Sequence, residues 1–495
     1  MGFRAVEDRP TPRETLVIAT GSLLFGYDSA FIGTTIARDS FLIDFSITSS
    51  NSSAVSSNIT SVFQAGPFSE QFSASSVITE RLGRKWTLQI SVFVFIIGAV
   101  MMVAATHQLG LIYAGRVLTG LGCGAITASV PSYIAELSIP SIRGILKGFF
   151  ECAYQIGSVI GFWINYGITM HILTDSSISW RIPMAVQLVP AGLLFVGGFF
   201  IHESPLWLMR KDRNSEAYKV LEYIRNLPVE DPYIQQDIHL IQNRLNEEAS
   251  VASKYGTGSW AFFRGALDEF SRRGMRNRVF LVFCAFTLQN FSGAAAINYY
   301  SPTLFESIGI ENTTLYTGIC GLVKEVASLI FYLAFVDKIG RRRPVIVSSF
   351  ACACCLWYVG AYVKIGNPSA VLDAGDSLSS SNSRGGQAAT GMVMIYAIFW
   401  SFGLNGVPGI VSAEIFLGAL RNFTGTWAAL VQWATQFVIS KGLPFMFDAW
   451  GYGTWFFFAT FLIMVTVWSY CLLPETKGLT IDQMDMISMN SSEIS

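Results

Sequence analysis

The sequence is poor in charge. Only 14% of its 495 residues are Asp, Glu, Lys or Arg, against about 25% in soluble domains. Hydrophobic residues make up 52% of the chain, and the mean hydropathy is +0.45. The shortage of charge excludes an ordinary soluble domain and indicates a membrane protein with many spans. A net charge of −1 argues neither for nor against nucleic-acid binding, and we expect no nucleic-acid partner.

The sequence also lacks the residue patterns of an enzyme. It contains no nucleophile–base set, no cluster of metal ligands and no phosphate-binding loop. All eight cysteines lie in apolar stretches, and the group Cys352, Cys354 and Cys355 has no histidine or acid beside it. Packing explains this group better than a metal site does. We therefore expect neither catalysis nor a cofactor.

Long apolar runs define the organisation of the chain. A membrane-spanning helix needs about 20 mostly apolar residues, and twelve stretches meet that length, six before and six after a polar insert. The chain is thus predicted to be all-α, with twelve transmembrane helices in two six-helix lobes. The expected divisions are a cytoplasmic N-terminus at 1–14, an N-terminal lobe at 15–201, a cytoplasmic linker with short helices at 202–278, a C-terminal lobe at 279–473 and a cytoplasmic tail at 474–495.

Two short charged turns are near copies of each other. Glu80–Lys85 and Asp337–Arg342 each place an acid, a glycine and several cations between two apolar runs. Such a segment cannot lie in hydrocarbon, and it predicts a tight turn at a membrane face. The repetition indicates duplicated halves, an arrangement that transporters build around a site at the membrane midplane.

Further acids and arginines recur at matched places near these turns. In both halves a glutamate and an arginine lie seven positions apart, and another glutamate follows the last span. They are either solvated helix ends or a network that forms and breaks as the inner face of a rocking transporter closes and opens; we favour the network. The expected inner gate consists of Glu80, Arg84, Glu136, Arg143, Glu203, Asp337, Arg341, Glu414, Arg421 and Glu475.

The distribution of cations predicts the orientation in the membrane. If both termini are cytoplasmic, 26 of the 33 Lys and Arg fall on the inside, as the positive-inside rule expects. Sequons at Asn51, Asn58 and Asn312 then fall in or beside outer loops, where we expect glycosylation. We expect a multi-pass protein of the cell membrane, with both termini cytoplasmic, that works as a monomer in the lipid bilayer.

Two charged residues fall inside predicted spans of the first half. Asp28 lies midway along the first span, and Arg116 lies in the fourth. A charge at such depth costs roughly 2.5–3.5 kcal/mol on insertion scales and calls for a partner or a function. We predict that the two residues pair and that Asp28 exchanges this partner for a proton, which would couple transport to a proton gradient. A static buried ion pair is the alternative.

Amide and aromatic side chains in several spans suit a cavity wall better than a lipid-facing surface. Amides both donate and accept hydrogen bonds, which fits a polyhydroxylated ligand, and helix–helix hydrogen bonds are the alternative. Lys324 either attracts a carboxylate substrate or pairs with an acid; pairing with adjacent Glu325 is disfavoured, because neighbouring helical residues point about 100° apart. The expected substrate-binding residues are Gln155, Asn165, Gln289, Asn290, Asn298, Tyr299, Lys324, Trp400 and Asn405.

Taken together, these motifs resemble the sugar porter branch of the major facilitator superfamily. Within that branch the chain is most similar to fungal quinate permeases, in residues 161–167, 224–228 and 360–365. The resemblance implies the major facilitator fold and proton-coupled import of quinate or a related hydroxylated acid, with small-molecule substrate and protons as partners. It also implies that Gln155, Gln289, Asn290 and Asn298 line the substrate site. The motifs that carry it are Gly26-Tyr27-Asp28, the two charged turns, Pro131…Glu136…Arg143, Gln289–Tyr300 and Pro474–Gly478.

The chain departs from the family pattern at the cavity wall. Ala295 stands where the family usually has an asparagine, and Gly409 stands where it typically has a tryptophan. We expect any functional peculiarity there and in the first charged turn. Rival hypotheses are a hexose or specialised-metabolite carrier of the same fold, and a non-transporting nutrient sensor.

Overall fold

The computed structural model of the protein is built of helices. It describes residues 12–73, 75–137, 143–173, 176–255, 273–310, 312–368, 380–415 and 421–475, and no strand occurs among them. The N-terminal lobe comprises α1 (Pro12–Ile36), α2 (Asp39–Asp44), α3 (Ser52–Ser73), α4 (Ser75–Leu82), α5 (Arg84–Val103), α6 (Leu109–Leu137), α7 (Arg143–His171), α8 (Ile178–Val186) and α9 (Leu188–Gly197).

A helical linker separates this lobe from the second. The linker comprises α10 (Pro205–Arg210), α11 (Asn214–Arg225) and α12 (Pro232–Tyr255). The C-terminal lobe comprises α13 (Arg273–Asn290), α14 (Ala294–Tyr299), α15 (Ser301–Ser307), α16 (Thr313–Ile330), a π-helical turn (Phe331–Phe335), α17 (Val336–Ile339), α18 (Arg342–Gly366), α19 (Ser380–Gly403), α20 (Val407–Ile415), α21 (Arg421–Trp450) and α22 (Gly453–Cys471).

The helices make twelve passages, and they coincide with the twelve predicted spans. Eight stretches of the described chain are long and apolar enough to cross a membrane. The other four passages run through α3, α7, α13 and α21. Three of these helices carry a buried amide, Gln64 on α3, Gln155 on α7 and Asn290 on α13, and the half-buried Gln432 on α21 accepts a hydrogen bond from Asn290.

The two chain ends of the described structure lie on the same side, because the number of passages is even. We call this side the terminal face and the other side the opposite face. At the opposite face, α3 and α21 join the lobes. The Ser57 hydroxyl donates to the Lys441 carbonyl (2.7 Å), Thr60 and Tyr300 share a hydrogen bond (2.8 Å), and the Lys441 amine donates to Asn58. The lobes are therefore held together at the opposite face.

The seventh passage is broken where its polar residues cluster. Helix α13 ends at Asn290, and α14 begins after Gly293, which has a φ of 90°. Only glycine adopts this left-handed region readily. The break leaves backbone and amide groups directed at the interior, as in carriers whose binding sites are built from discontinuous helices.

The linker helices pack beneath the N-terminal lobe. Short helices were predicted in the linker, and the structure has Asn214–Arg225 and Pro232–Tyr255 there. Arg225 fixes their position, since its Nε donates to Asp237 (3.0 Å) and its Nη1 donates to the Leu137 carbonyl at the end of α6 (3.0 Å). The linker is thus anchored to the lobe that precedes it.

Helices α1 and α7 touch through glycine. A Cβ added at Gly157 would lie 2.1 Å from the Leu23 carbonyl oxygen, whereas one added at Gly167 on the same helix would meet nothing within 4 Å. The Leu23 oxygen belongs to a helical backbone and cannot move aside, so the helices can approach this closely only if position 157 is glycine.

The replacement Gly157→Ala should destabilise the protein, because overpacking at a fixed backbone costs roughly 1–3 kcal/mol. Gly167→Ala makes the same chemical change in open space and should leave stability unchanged or raise it slightly, because alanine favours helix. The measurement is the thermal unfolding midpoint of the detergent-purified chain. Equal midpoints for the two variants would contradict the close approach.

Candidate functional site

Asp28 and Arg116 meet in the interior of the N-terminal lobe. Arg116 Nη1 donates to both carboxylate oxygens of Asp28, at 3.0 and 3.2 Å, and both side chains are 0% exposed. Arg116 Nε donates to the Ile59 carbonyl (3.4 Å), and its guanidinium lies 4.4 Å from the ring centroid of Phe63. Nη2 has no hydrogen-bond partner among the described residues, so the pair is dry and one donor group remains available.

The packing of α3 on α6 brings these groups together. A Cβ at Gly120 would lie 2.3 Å from the Phe63 carbonyl oxygen, and one at Gly66 would lie 2.4 Å from the Gly120 carbonyl carbon. Glycines on both helices let the backbones touch. This contact presses the Phe63 ring against Arg116 and directs the guanidinium toward α1, where Asp28 lies.

Several of the predicted substrate-binding amides are engaged in joining helices. Asn165 Nδ2 donates to the carbonyls of Phe31 (3.2 Å) and Gly161 (3.1 Å), which ties α7 to α1. Asn290 Nδ2 donates to Gln432 (3.0 Å) and Thr435 (2.8 Å) on α21. These contacts correspond to the alternative of helix–helix bonding, which leaves Asn165 with little capacity for a ligand.

Other members of the predicted set keep unused hydrogen-bonding atoms. Gln155 is 1% exposed, and neither its Nε2 nor its Oε1 has a hydrogen-bond partner among the described residues. Gln289 donates to the Leu404 carbonyl (2.8 Å) and the Asn405 carbonyl (2.9 Å), while its Oε1 has no partner there. Because a buried amide atom without a partner is costly, these atoms are candidates for ligand contact.

Aromatic groups complete the wall on the C-terminal side. The Trp400 indole donates to Ser292 (3.0 Å), Asn405 donates to Ser328 (3.1 Å), and the Tyr299 hydroxyl accepts from Gln436 (3.0 Å). The predicted residues of the seventh and tenth passages therefore lie side by side in the C-terminal lobe.

Lys324 has two partners. Its amine donates to Asn298 Oδ1 (3.0 Å), lies 3.5 Å from Glu325 Oε1 and lies 5.6 Å from the ring centroid of Trp400. The expectation that adjacent residues would not pair was wrong, because the flexible lysine stem spans the angle between the two positions. At 3.5 Å the ion pair is longer than the 2.7–2.9 Å typical of charge-assisted bonds, so Glu325 is only partly compensated.

Three elements of the interior were missed from the sequence. Gln64 on α3 is fully buried, without a hydrogen bond of ordinary geometry among the described residues. Gln432 and Gln436 line α21 at helical spacing and contact the seventh passage. Glu151 lies one turn before Gln155, near the start of α7. Each is a polar residue in an apolar run, the same signal that singles out Asp28 and Lys324 in the sequence.

The first charged turn is fixed by two glutamates of its own lobe. Arg84 Nη2 donates to Glu136 Oε1 (2.8 Å), and the backbone N–H of Arg84 donates to Glu203 Oε1 (2.8 Å). Gly83 has a φ of 94°, and a Cβ there would lie 2.3 Å from Glu203 Oε2. Burial raises the pKa of the Glu203 carboxyl above its usual value, although N–H donors of Ser204, Lys85 and Arg84 act in the opposite direction.

The second charged turn repeats this arrangement. Arg341 Nη2 donates to Glu414 Oε1 (2.7 Å), and the Arg341 backbone N–H donates to Glu475 Oε1 (2.8 Å). Gly340 has a φ of 90°. In both lobes a carboxylate thus caps the start of a helix, where the helix dipole favours negative charge. Both networks join helices within one lobe.

Among the remaining residues of the expected inner gate, only the side chain of Glu80 is described. Glu80 is exposed; its carbonyl accepts from the Trp207 indole (2.9 Å), and its carboxylate lies 4.0 Å from Arg210. The side chains of Arg143, Asp337 and Arg421 lie outside the described residues.

The predicted glycosylation sites differ in accessibility. Asn51 and Asn312 are exposed at the opposite face, in the turns before α3 and α16. Asn58 lies within α3 and is half-buried, and its side-chain oxygen accepts a hydrogen bond from the Lys441 amine across the lobes.

The structure combines a buried charge pair in the N-terminal lobe with buried amide atoms that lack hydrogen-bond partners among the described residues. Proteins of this architecture bind a small polar molecule between the lobes and expose it to each side in turn. No group of residues that could hold a metal ion occurs in the described part of the chain.

Solved structures share the fold. The proton:xylose symporter XylE bound to 6-bromo-6-deoxy-D-glucose matches with a TM-score of 0.72 and 21% identity, covering 97% of this chain and 99% of the symporter. The inward open xylose transporter XylE from E. coli matches with a TM-score of 0.74 and 21% identity, covering 96% and 99%. The protein therefore has the fold of the major facilitator superfamily.

Sequence relatives define the family. The model of the family described as "Sugar (and other) transporter" matches residues 15–487. The chain is 42% identical to a probable quinate permease of Aspergillus clavatus, over 97% of this chain and 90% of the relative, and 41% identical to a quinate permease of Emericella nidulans, over 97% and 91%. The chain belongs to the sugar transporter family, and it is a secondary transporter of small molecules.

The capping role of Glu203 can be tested by replacing its side chain with that of alanine. Glu203→Ala removes the acceptor for the Arg84 and Lys85 amides, and hydrogen bonds to a charged group contribute about 1.5–3 kcal/mol each, so the thermal midpoint should fall clearly. Glu216→Ala removes an exposed carboxylate paired with Arg213 (2.6 Å) and should change the midpoint little, since surface ion pairs contribute little. Comparable shifts in both variants would argue against the cap.

Proposed function

We propose that the protein imports quinate or a related polyhydroxylated acid together with protons. The observation that carries this proposal is the dry Asp28–Arg116 pair, 0% exposed on both sides, beside amides that lack partners. The relatives named quinate permeases support the substrate class, at about two fifths identity over nearly the whole chain.

Asp28 acts as the proton carrier in this proposal. As a carboxylate it is held by Arg116 at 3.0 Å. Protonation removes the charge that Arg116 compensates and weakens the tie between α1 and α6. The freed guanidinium, which already has one donor without a partner, then forms new contacts in a different arrangement of the helices. Proton binding and movement of the lobes are coupled in this way.

Substrate binding uses the groups between the lobes. Gln155 on α7 offers a donor and an acceptor, and Gln289 on α13 offers an acceptor, without hydrogen-bond partners among the described residues, and such atoms suit vicinal hydroxyls. Lys324 supplies a cation for the carboxylate, with Asn298 and Trp400 beside it. Asn290, Tyr299 and Asn405 hold these groups in place through their own bonds.

Alternating access follows from the rigidity of each lobe. The Arg84–Glu136–Glu203 and Arg341–Glu414–Glu475 networks hold helix ends together at the terminal face. The contacts between Ser57, Thr60 and the C-terminal lobe close the opposite face. We propose that the contacts at the opposite face break when the lobes rock, while the networks within each lobe stay intact.

We also propose the orientation and setting. The terminal face is cytoplasmic, because the basic residues concentrate there. The lobes correspond to 15–201 and 279–473, with 1–14, 202–278 and 474–495 in the cytoplasm. The protein lies in the cell membrane as a monomer, and Asn51 and Asn312 are the glycan acceptors.

A carrier of bulkier metabolites is the second candidate. Gly409 on α20 is exposed, and a Cβ there would meet nothing within 4 Å. Ala295 offers no side-chain hydrogen bond. A site widened at these two positions favours a larger or more aromatic molecule, and competition of such compounds against quinate uptake distinguishes the candidates.

If Asp28 carries the proton, quinate uptake by the Asp28→Asn variant should no longer depend on external pH, because the amide cannot bind and release a proton. The measurement is uptake of labelled quinate at two external pH values, in a host without its own carriers. Asp39→Asn changes an exposed aspartate at the opposite face and should retain the wild-type response. Full acid stimulation in Asp28→Asn would rule out this role.

If Lys324 binds the carboxylate of the substrate, the Lys324→Met variant should lose more uptake of quinate than of an uncharged solute. Quinate uptake should fall at least about tenfold, because a charge-assisted contact contributes roughly 1.5–3 kcal/mol, while uptake of an uncharged cyclic polyol should change much less. Lys219→Met, on the exposed side of α11, serves as the control. Equal losses for both solutes would show that Lys324 has no role in recognising the carboxylate.

A further inference from the structure

One face of α3 meets the C-terminal lobe through hydrogen bonds. The Ser57 hydroxyl donates to the Lys441 carbonyl (2.7 Å), and Thr60 and Tyr300 share a hydrogen bond of 2.8 Å. The Tyr300 hydroxyl also donates to the Ser440 carbonyl (3.4 Å). These bonds fix the register of α3 against α21. Because the two helices run in opposite directions, rising numbers on α3 and falling numbers on α21 both lead away from the opposite face.

Gln64 lies one helical turn deeper than Thr60, on the same face of α3. Residues four apart share a helix face, whereas adjacent residues do not. The neighbouring Phe63 ring packs on the Arg116 guanidinium inside the N-terminal lobe, with 4.4 Å to the ring centroid, so Gln64 is left to face the C-terminal lobe. The antiparallel register places Gln436 of α21 at the same depth.

The groups that surround Gln64 come from both lobes. Gln436 Nε2 donates to the Tyr299 hydroxyl (3.0 Å), and the Gln64 amide lies beside that hydroxyl. Tyr299 is also pressed against α1, since a Cβ at Gly33 would lie 2.2 Å from the Tyr299 carbonyl oxygen. Gln64 is therefore enclosed at the boundary between the lobes.

The amide of Gln64 is buried with its hydrogen-bonding capacity unused. The residue is 0% exposed, and neither Nε2 nor Oε1 makes a hydrogen bond of ordinary geometry among the described residues. Such an amide destabilises the closed arrangement, because its atoms have given up water and gained no equivalent bond. An apolar side chain of similar length would fill this place better. Violations of this kind are expected where a residue has a function.

We propose that Gln64 is a further substrate-binding residue, which bonds a hydroxyl group of the substrate when the opposite face opens. The inference rests on the proposed function and refines it. Opening separates α3 from α21 and exposes the amide, whose donor and acceptor both suit a hydroxyl. None of the expected substrate-binding residues lies on α3, so Gln64 adds a second helix of the N-terminal lobe, beside α7, to the site.

This contact exists on one side of the transport cycle only. When the opposite face closes, the amide returns to the boundary between the lobes, where it is 0% exposed. The substrate then loses this bond before the site opens to the terminal face. Gln64 thus favours binding on the opposite side of the membrane and release on the terminal side.

The test replaces Gln64 with methionine, which has a similar length and no amide. Competition against uptake of labelled quinate, in a host without its own carriers, gives apparent affinities for quinate and for deoxy analogues that each lack one hydroxyl group. In the wild type, loss of the hydroxyl that Gln64 bonds should weaken binding roughly two- to tenfold. Gln64→Met should bind quinate more weakly by a similar factor, and it should no longer distinguish quinate from that one analogue.

The thermal unfolding midpoint gives a second readout, which a purely structural role would move in the other direction. Because the amide has no bond of ordinary geometry to lose, Gln64→Met should keep or raise the midpoint. Gln89→Met is the matched control: Gln89 is 4% exposed, and its Nε2 donates to the Phe195 carbonyl (3.1 Å) within the N-terminal lobe. This variant should lower the midpoint and leave the affinities for quinate and every analogue unchanged.

The outcomes separate the inference from the proposed function. Unchanged affinities in Gln64→Met, an equal loss for quinate and all analogues, or a midpoint below that of the wild type would overturn the inference alone. A wild type that takes up no quinate would overturn the proposed function as well.

Discussion

The structure depends on one electrostatic constraint: a charge placed at mid-membrane depth must have a partner. Asp28 and Arg116 are both fully buried and meet at 3.0 Å. Removing either residue would leave an uncompensated buried charge, and protonating Asp28 likewise leaves the Arg116 guanidinium without its counter-charge. The close glycine contacts between α3 and α6 place the Phe63 ring against the guanidinium that binds this carboxylate. We propose that the same feature both holds the N-terminal lobe together and makes its packing responsive to a proton.

Each lobe is held together internally, and the boundary between the two lobes is where we expect motion. In each lobe a glutamate caps the helix that follows the charged turn, and a glycine with positive φ, Gly83 or Gly340, makes room for it. These bonds stay within a lobe. The contacts that cross between the lobes are different in kind, and they include single hydrogen bonds at Ser57 and Thr60 on the opposite face. Motion is thus expected between the lobes and not within them.

Hydropathy and charge pattern anticipated the fold, the linker helices and the meeting of Asp28 with Arg116, because each depends on which residues tolerate hydrocarbon. The uses of individual polar side chains depend on how each helix is rotated about its axis, which packing determines. Asn165 and Asn58 therefore turned out to join helices. Lys324 reaches Glu325 through a flexible stem that residue spacing does not describe. Glu151 was overlooked because it lies just inside the edge of a span.

In the proposed function, the buried pair of Asp28 and Arg116 couples this carrier to protons. The most direct measurement reconstitutes the purified protein in liposomes, imposes a pH gradient and follows labelled quinate inside. The account predicts accumulation above the external concentration that collapses when a protonophore is added. Uptake that only equilibrates, and that a protonophore does not change, would contradict it.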